Sequence, residues 1–190
     1  MRKGAVRRAA APSVAIGIVA VCVSVALASP SGSTLPLTAR VLHAGDFLGL
    51  RPRGRVVVIR KPEQWVILEP PPAPFTPGLL EEDGFAGGIS EHLYWPGRKI
   101  EGLSVVVQLG SHAAATKYLT IYNGFASPFP VSGIPRARGF GNSGGINVVF
   151  VDGDYAYLVG AGWQPGVKPP VTRQQLITAA KLLYRRVHGH

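Results

Sequence analysis

The chain has 190 residues, with 20 Lys and Arg against 10 Asp and Glu, and one cysteine. Its mean hydropathy is +0.20. That length fits one ordinary domain, and a lone cysteine excludes an internal disulfide framework and a thiolate metal cage.

The first thirty residues differ from the rest in composition. Arg2, Lys3, Arg7 and Arg8 precede a small and apolar run, Val14 to Ala28, which ends Ala26-Leu27-Ala28-Ser29. A basic stretch, a short apolar stretch and a small-residue cleavage site, in that order, form an export signal. The expectation is a signal peptide over 1–28, cleaved after Ala28, and a secreted or extracytoplasmic protein. The alternative is an uncleaved anchor formed by residues 14–28, although this run of 15 residues is shorter than the roughly 20 of a spanning helix. The leader contains Cys22 and four of the basic residues, so the chain beyond it is cysteine-free, with sixteen basic residues against ten acidic. These basic residues are scattered from Arg40 to Arg186, without the clustering and interleaved aromatics of a nucleic-acid surface. No nucleic-acid partner is expected. A solvated basic surface that meets anionic envelope polymer or lipid is the reading that charge alone supports.

Ser29 to Pro36 reads as a linker, followed by a single domain over 37–190. Leu37, Val41 and Leu42 recur at helical spacing and predict a short helix stopped by Gly45. Arg55 to Arg60 (RVVVIR) predicts a strand. Pro62 opens a short helix carrying Trp65 and Val66. Pro70 to Pro77 predicts an extended segment, and Leu79 to Asp83 a helical turn. Ile89 to Trp95 and Gly102 to Leu109 predict two strands joined by a Pro- and Gly-punctuated loop. Ser111 caps a helix to about Asn123, with Ala115, Tyr118 and Leu119 on one face. Ser127 to Gly145 is rich in Pro and Gly and reads as loop. Ile146 to Val151 and Asp154 to Gly160 predict a hairpin around Asp152-Gly153, a turn that needs positive φ. Thr172 and Gln175 form a capping box for a last helix whose apolar face is Leu176, Ala180, Leu183 and Val187.

Hairpin, helix, hairpin, helix predicts an α+β fold: an antiparallel sheet of about four to six strands with two main helices packed on one face. Strand alternation places Leu103, Val105, Val107 and Leu109 towards the helices. It leaves His92, Tyr94 and Gln108 as the candidate lining of a partly uncovered second face. Tyr155, Tyr157 and Trp163, on or beside the last hairpin, complete the candidate ligand-binding set, for a small apolar or sugar ligand. Most aromatics at such positions are core.

Several motifs lack the context their chemistry needs. Gly141-Asn142-Ser143-Gly144-Gly145 resembles the Gly-Asp-Ser-Gly-Gly nucleophile segment of trypsin-like proteases, but Asn142 stands for the Asp and no matching histidine motif lies upstream. Gly139 to Gly144 fits G-x-G-x-x-G, yet a strand comes after it where a phosphate loop opens a helix. Glu91 and His92 are adjacent on a strand and point to opposite faces. His43 and Asp46 would need further ligands to hold a metal, and Asp152 and Asp154 are accounted for by their turn. No catalytic residue, metal site or cofactor is expected.

The strings VSGIPRARGFG from Val131, INVVFVDGDYAYLVGAGW from Ile146 and the terminal LLYRRV resemble uncharacterised secreted proteins of actinobacterial type. So do LTARVLHAGDFLGL and SVVVQLGSHAAATKYL, in the same order. More distantly, the layout is similar to extracellular sensor domains of receptor Ser/Thr kinases and to the Mog1/PsbP-like sandwich. No activity or catalytic residue carries over from the resemblance, and the leading expectation is an exported, non-catalytic ligand-binding or sensor-like module. An envelope-associated structural protein and a small hydrolase are the alternatives.

Overall fold

The computed structural model describes residues 35–47, 51–52, 56–68, 76–94, 100–122, 127–164, 166–169 and 171–189. The leader, its cleavage site after Ala28, most of the linker, the Pro-rich stretch 70–75 and the loop 96–99 lie outside the described residues. Along the chain come β1 (Arg51–Pro52), β2 (Val57–Ile59), α1 (Pro62–Leu68), α2 (Pro77–Glu82), β3 (Gly87–Tyr94), β4 (Ile100–Gln108) and α3 (His112–Tyr122). Then come β5 (Ser127–Pro130), β6 (Arg138–Asn142), β7 (Gly145–Asp152), β8 (Tyr155–Trp163) and α4 (Arg173–Val187).

The strands form one antiparallel sheet in the order β1-β3-β4-β8-β7-β6-β5, and β2 also pairs with β3. This exceeds the four to six strands expected. The extra pair, β5 and β6, lies in the stretch that reads as Pro- and Gly-rich loop. Pro128 and Pro130 are tolerated because β5 is an edge strand, where fewer ladder hydrogen bonds are at stake. Gly139 makes room for the edge to close: a Cβ there would sit 2.0 Å from the ring of Phe129.

Antiparallel partners share a face, so the register sorts the core. Ser90 pairs with Val105, Val105 with Leu158, and Leu158 with Val149. That face packs Val105, Val107, Val149, Ala156 and Leu158 against Ala115, Tyr118 and Leu119 of α3, with Trp65 and Leu80 from the short helices. The opposite face packs Ile89, Val106, Val148, Phe150, Tyr157 and Val159 against Leu176, Ala180 and Leu183 of α4, with Val41, Leu42 and Phe47. The two main helices therefore lie on opposite faces, which corrects the expectation of one face. The cause is in the central strands. Val105-Val106-Val107 and Val148-Val149-Phe150 are apolar on both sides, and a strand apolar on both sides must be covered on both.

Local signals hold where their chemistry is local. Gly153 turns the β7–β8 hairpin at φ +59°. The Thr172 hydroxyl accepts from Gln175 N at 3.2 Å, and Thr172 N donates to the Gln175 side chain at 2.9 Å. The short N-terminal helix is instead two 3-10 turns, Leu37–Arg40 and Ala44–Asp46. Side chains from elsewhere hold their backbone. Leu42 N donates to the Ser104 hydroxyl at 2.8 Å, and Arg186 donates to Val41 O at 2.8 Å and to the Asp46 carboxylate at 2.8 and 2.9 Å.

Leu183 is fully buried under α4, while its neighbour Leu182 is 39% exposed. Leu183→Ala is expected to cost about 2–5 kcal/mol of unfolding free energy, and Leu182→Ala to stay within about 0.5 kcal/mol of zero. Chemical denaturation of the two variants checks the docking of α4; equal losses would contradict it.

Candidate ligand cleft

The six residues expected to bind ligand do not form one surface. Gln108 pairs with Gly87 and lies on the α4 side of the sheet with Ser104 and Val106, where its amide donates to Asp154 Oδ2 at 3.0 Å. His92 pairs with Leu103, and Tyr94 with Glu101, which places both on the α3 side. The register thus separates Gln108 from the two residues expected beside it. Tyr155, Tyr157 and Trp163 alternate onto the α4 side. Tyr157 is fully buried, stacked on Phe150 at 4.7 Å between centroids, and its hydroxyl accepts from Arg40 Nη1 at 2.7 Å. The Arg40 guanidinium lies 3.9 Å from the centroid of the Tyr155 ring. Trp163 belongs to the same core cluster.

Arg40 is a buried cation that these two tyrosines help to hold. Burial, only partly offset by Arg40, pushes the Tyr157 hydroxyl well above its ordinary pKa, so it remains a neutral phenol. Tyr157→Phe removes one hydrogen-bond partner from a buried charge and is expected to cost about 1–3 kcal/mol. Equilibrium unfolding measures this loss, and an unchanged midpoint would show that the bond contributes nothing.

A second buried charge lies on the same side. Glu91 is 2% exposed, and its Oε2 is 2.6 Å from Nδ1 of His43, forty-eight residues away in sequence. Glu91, the acidic residue in an otherwise apolar row of β3, therefore takes its hydrogen-bond partner from the N-terminal turn. Burial pushes the Glu91 carboxyl above the usual carboxylate range, while His43 works in the opposite direction. A carboxyl raised in the folded state lends stability that is full below its unfolded pKa and is lost as pH rises through the folded pKa. Glu91→Gln keeps a neutral partner for His43 without the buried charge. Its melting temperature, compared with that of the parent chain, is expected to improve steadily from pH 4 to pH 8. A difference that does not vary with pH would refute this assignment.

On the α3 side the cover is incomplete. The helix lies over β7 and β8, packing on Val149, Ala156 and Leu158. Towards the other end of the same two strands, this face carries Gly145, Asn147, Gly160 and Gly162. Two hollows adjoin there. A trough of about 850 Å³ runs between α3 and β6–β7, lined by Thr116, Leu119, Thr120, Arg138, Phe140, Val149 and Val151 among others. A smaller hollow of about 280 Å³ is lined by His92, Glu101, Leu103, Asn142 and Asn147 over the glycines. Phe140 lines both. A Cβ on Gly160 would stand 2.3 Å from Asn147 Oδ1, so the glycine makes room for that amide on the sheet surface.

The two hollows differ in charge. The trough lining includes Lys117, Arg136, Arg138 and His112 and, among the described residues, no carboxylate. Lys117 is paired with Asp83 at 2.8 Å, and His112 Nδ1 lies 3.0 Å from Gly153 O. Arg136 stands at φ +57°, a conformation that favours glycine and costs another residue about 1–2 kcal/mol. Of the six candidates only His92 lines either hollow. Arg138 and Phe140 escape sequence reading because β6 reads as loop, so alternation is not applied to it, and Arg136 lies in the turn before it. Thr116 and Asn147 lie on elements that the sequence predicts, but only the packing of α3 beside β6 and β7 brings them to the hollows. The Gly141–Gly145 motif is the tight β6–β7 turn, with Gly144 N bonded to Asn142 Oδ1 at 2.8 Å. Among the described residues no three His, Cys, Asp or Glu side chains gather at metal-binding distance.

No protein-family model matches the chain, and no curated protein matches it. Among solved structures, the extracellular domain of PknH from Mycobacterium tuberculosis is similar at 15% sequence identity and a TM-score of 0.50. The alignment covers 81% of this chain and 95% of that one. The expected distant likeness to extracellular sensor-type domains therefore holds at the level of fold.

Proposed function

We propose that the chain is an extracytoplasmic, non-catalytic, sensor-like module that binds a small ligand in the cleft on its α3 side. Kinship with secreted proteins of actinobacterial type belongs to the same proposal and rests on the strings from Leu37 to Val187 that resemble them. Export rests on the composition of residues 1–28. Among the described residues no helix is long and apolar enough to cross a membrane.

The observation that carries the binding reading is the uncovered part of a sheet otherwise packed on both sides. An apolar trough of about 850 Å³ with a few polar groups falls within the roughly 300–1,000 Å³ of small-molecule sites. A hydrolase would need a histidine, a carboxylate and an accessible hydroxyl together. His43 and Glu91 supply two of these. The hydroxyl opposite Glu91 is that of Ser104, which is fully buried and bonded to Leu42 N. That cluster also lies on the other side of the sheet from the cleft.

Thr116 is exposed on α3 and lines the trough, so Thr116→Phe is expected to plug it while leaving the core intact. Native mass spectrometry of protein purified from the medium is expected to show a chain beginning at Ser29 and a bound small molecule that the variant loses. A bound molecule retained unchanged by Thr116→Phe would place the ligand elsewhere and refute the cleft.

A further inference from the structure

We infer that the trough takes a free amphiphilic anion, with a slender apolar body along Leu119, Phe140 and Val149 and a carboxylate or phosphate-type headgroup at Arg136 and Arg138. This rests on the cleft as the binding site and adds the ligand's chemistry.

Three observations converge on it. The trough lining combines an apolar floor with cationic side chains, without a carboxylate among the described residues. A neutral sugar would leave those charges unused, and a cation would be repelled. The cations also differ in their commitments. Lys117 and His112 already hold Asp83 and the Gly153 carbonyl. Arg136 and Arg138 are exposed, and neither pairs with a carboxylate among the described residues. They stand two residues apart, Arg136 in the turn before β6 and Arg138 at its first position, and guanidinium groups bind carboxylates and phosphates in bidentate fashion. Finally, Arg136 occupies a left-handed backbone position where glycine would be unstrained. Strain of this kind is characteristic of ligand clamps.

The occupant is a free molecule rather than a bilayer. The site is concave, and the large exposed hydrophobic residues among those described are Val58, Tyr94, Val167 and Leu182, none of which lines the trough. Among the described residues, none at its mouth is a large exposed apolar side chain available for insertion into a membrane.

The test is calorimetric titration of the purified chain with decyl phosphate, decanoate, decanol, decyltrimethylammonium and inorganic phosphate, each below its micelle concentration. The two decyl anions are expected to bind, with decanol and the ammonium compound roughly tenfold weaker or more. Inorganic phosphate, which lacks the apolar body, is expected to bind more weakly than decyl phosphate. Arg136→Gly combined with Arg138→Gln is expected to weaken the anions roughly tenfold while leaving decanol unchanged. Its melting temperature should hold or rise, because glycine relieves the positive φ; this separates lost binding from lost folding. Thr116→Phe is expected to abolish binding of both decanol and the anions. Equal affinity for the ammonium compound, or full anion affinity in the double variant, would overturn the inference. So would uptake onto anionic phosphatidylglycerol vesicles without binding of monomeric decyl phosphate. A neutral co-purified ligand displaced by Thr116→Phe would overturn the anion while preserving the cleft; a ligand unaffected by Thr116→Phe would overturn both.

Discussion

Central strands that are apolar on both sides set the terms for this fold. With Val105, Val106 and Val107 consecutive in β4 and Val148 to Phe150 consecutive in β7, each face of the sheet presents a hydrocarbon surface. One main helix cannot cover both, so α3 and α4 take opposite sides. The remaining elements extend the cover. The short helices α1 and α2 extend the α3 side through Trp65 and Leu80, and the N-terminal turns extend the α4 side through Val41, Leu42 and Phe47. Where the strands change from valine to glycine the smaller hollow opens, and the trough adjoins it between α3 and β6–β7.

The two sides then diverge in chemistry. The α4 side is closed and contains buried charges, each with a partner: Arg40 on Tyr157, Glu91 on His43, and the half-buried Arg186 on Asp46 and Val41. Burying charge is tolerable only when it is paired and hydrogen-bonded. These contacts therefore fix a stretch of chain that has little regular structure of its own. The α3 side is partly uncovered, and while Lys117 holds Asp83, Arg136 and Arg138 face a trough. One side of the sheet secures the N-terminal segment, and the other leaves space that a small molecule can enter.

Much of this was legible from residues whose partners are near in sequence. The Asp152-Gly153 turn and the Thr172–Gln175 capping box formed where read, because each depends on a few consecutive residues. The apolar face of α4 also packs as its spacing requires. The α3-facing row from Leu103 to Leu109 likewise met a helix. Reading failed at β5 and β6, where prolines and glycines signal loop but an edge strand accepts them and Phe129 occupies the space above Gly139. That failure hid Phe140 and Arg138, and with them the trough. The assignment of His92, Tyr94 and Gln108 to one surface failed because it required a register between β3 and β4 that alternation within each strand does not supply.

By itself the sequence determined the antiparallel α+β class and most element positions, because these arise from periodicity and short-range turn chemistry. Only the tertiary structure decided which helix covers which face, that Glu91 finds His43 forty-eight residues away, and that Arg136 and Arg138 border an apolar trough beside α3. Those outcomes depend on strand register and on contacts between distant segments. A one-residue change in register reverses every facing side chain, and local sequence carries no mark of which register will prevail.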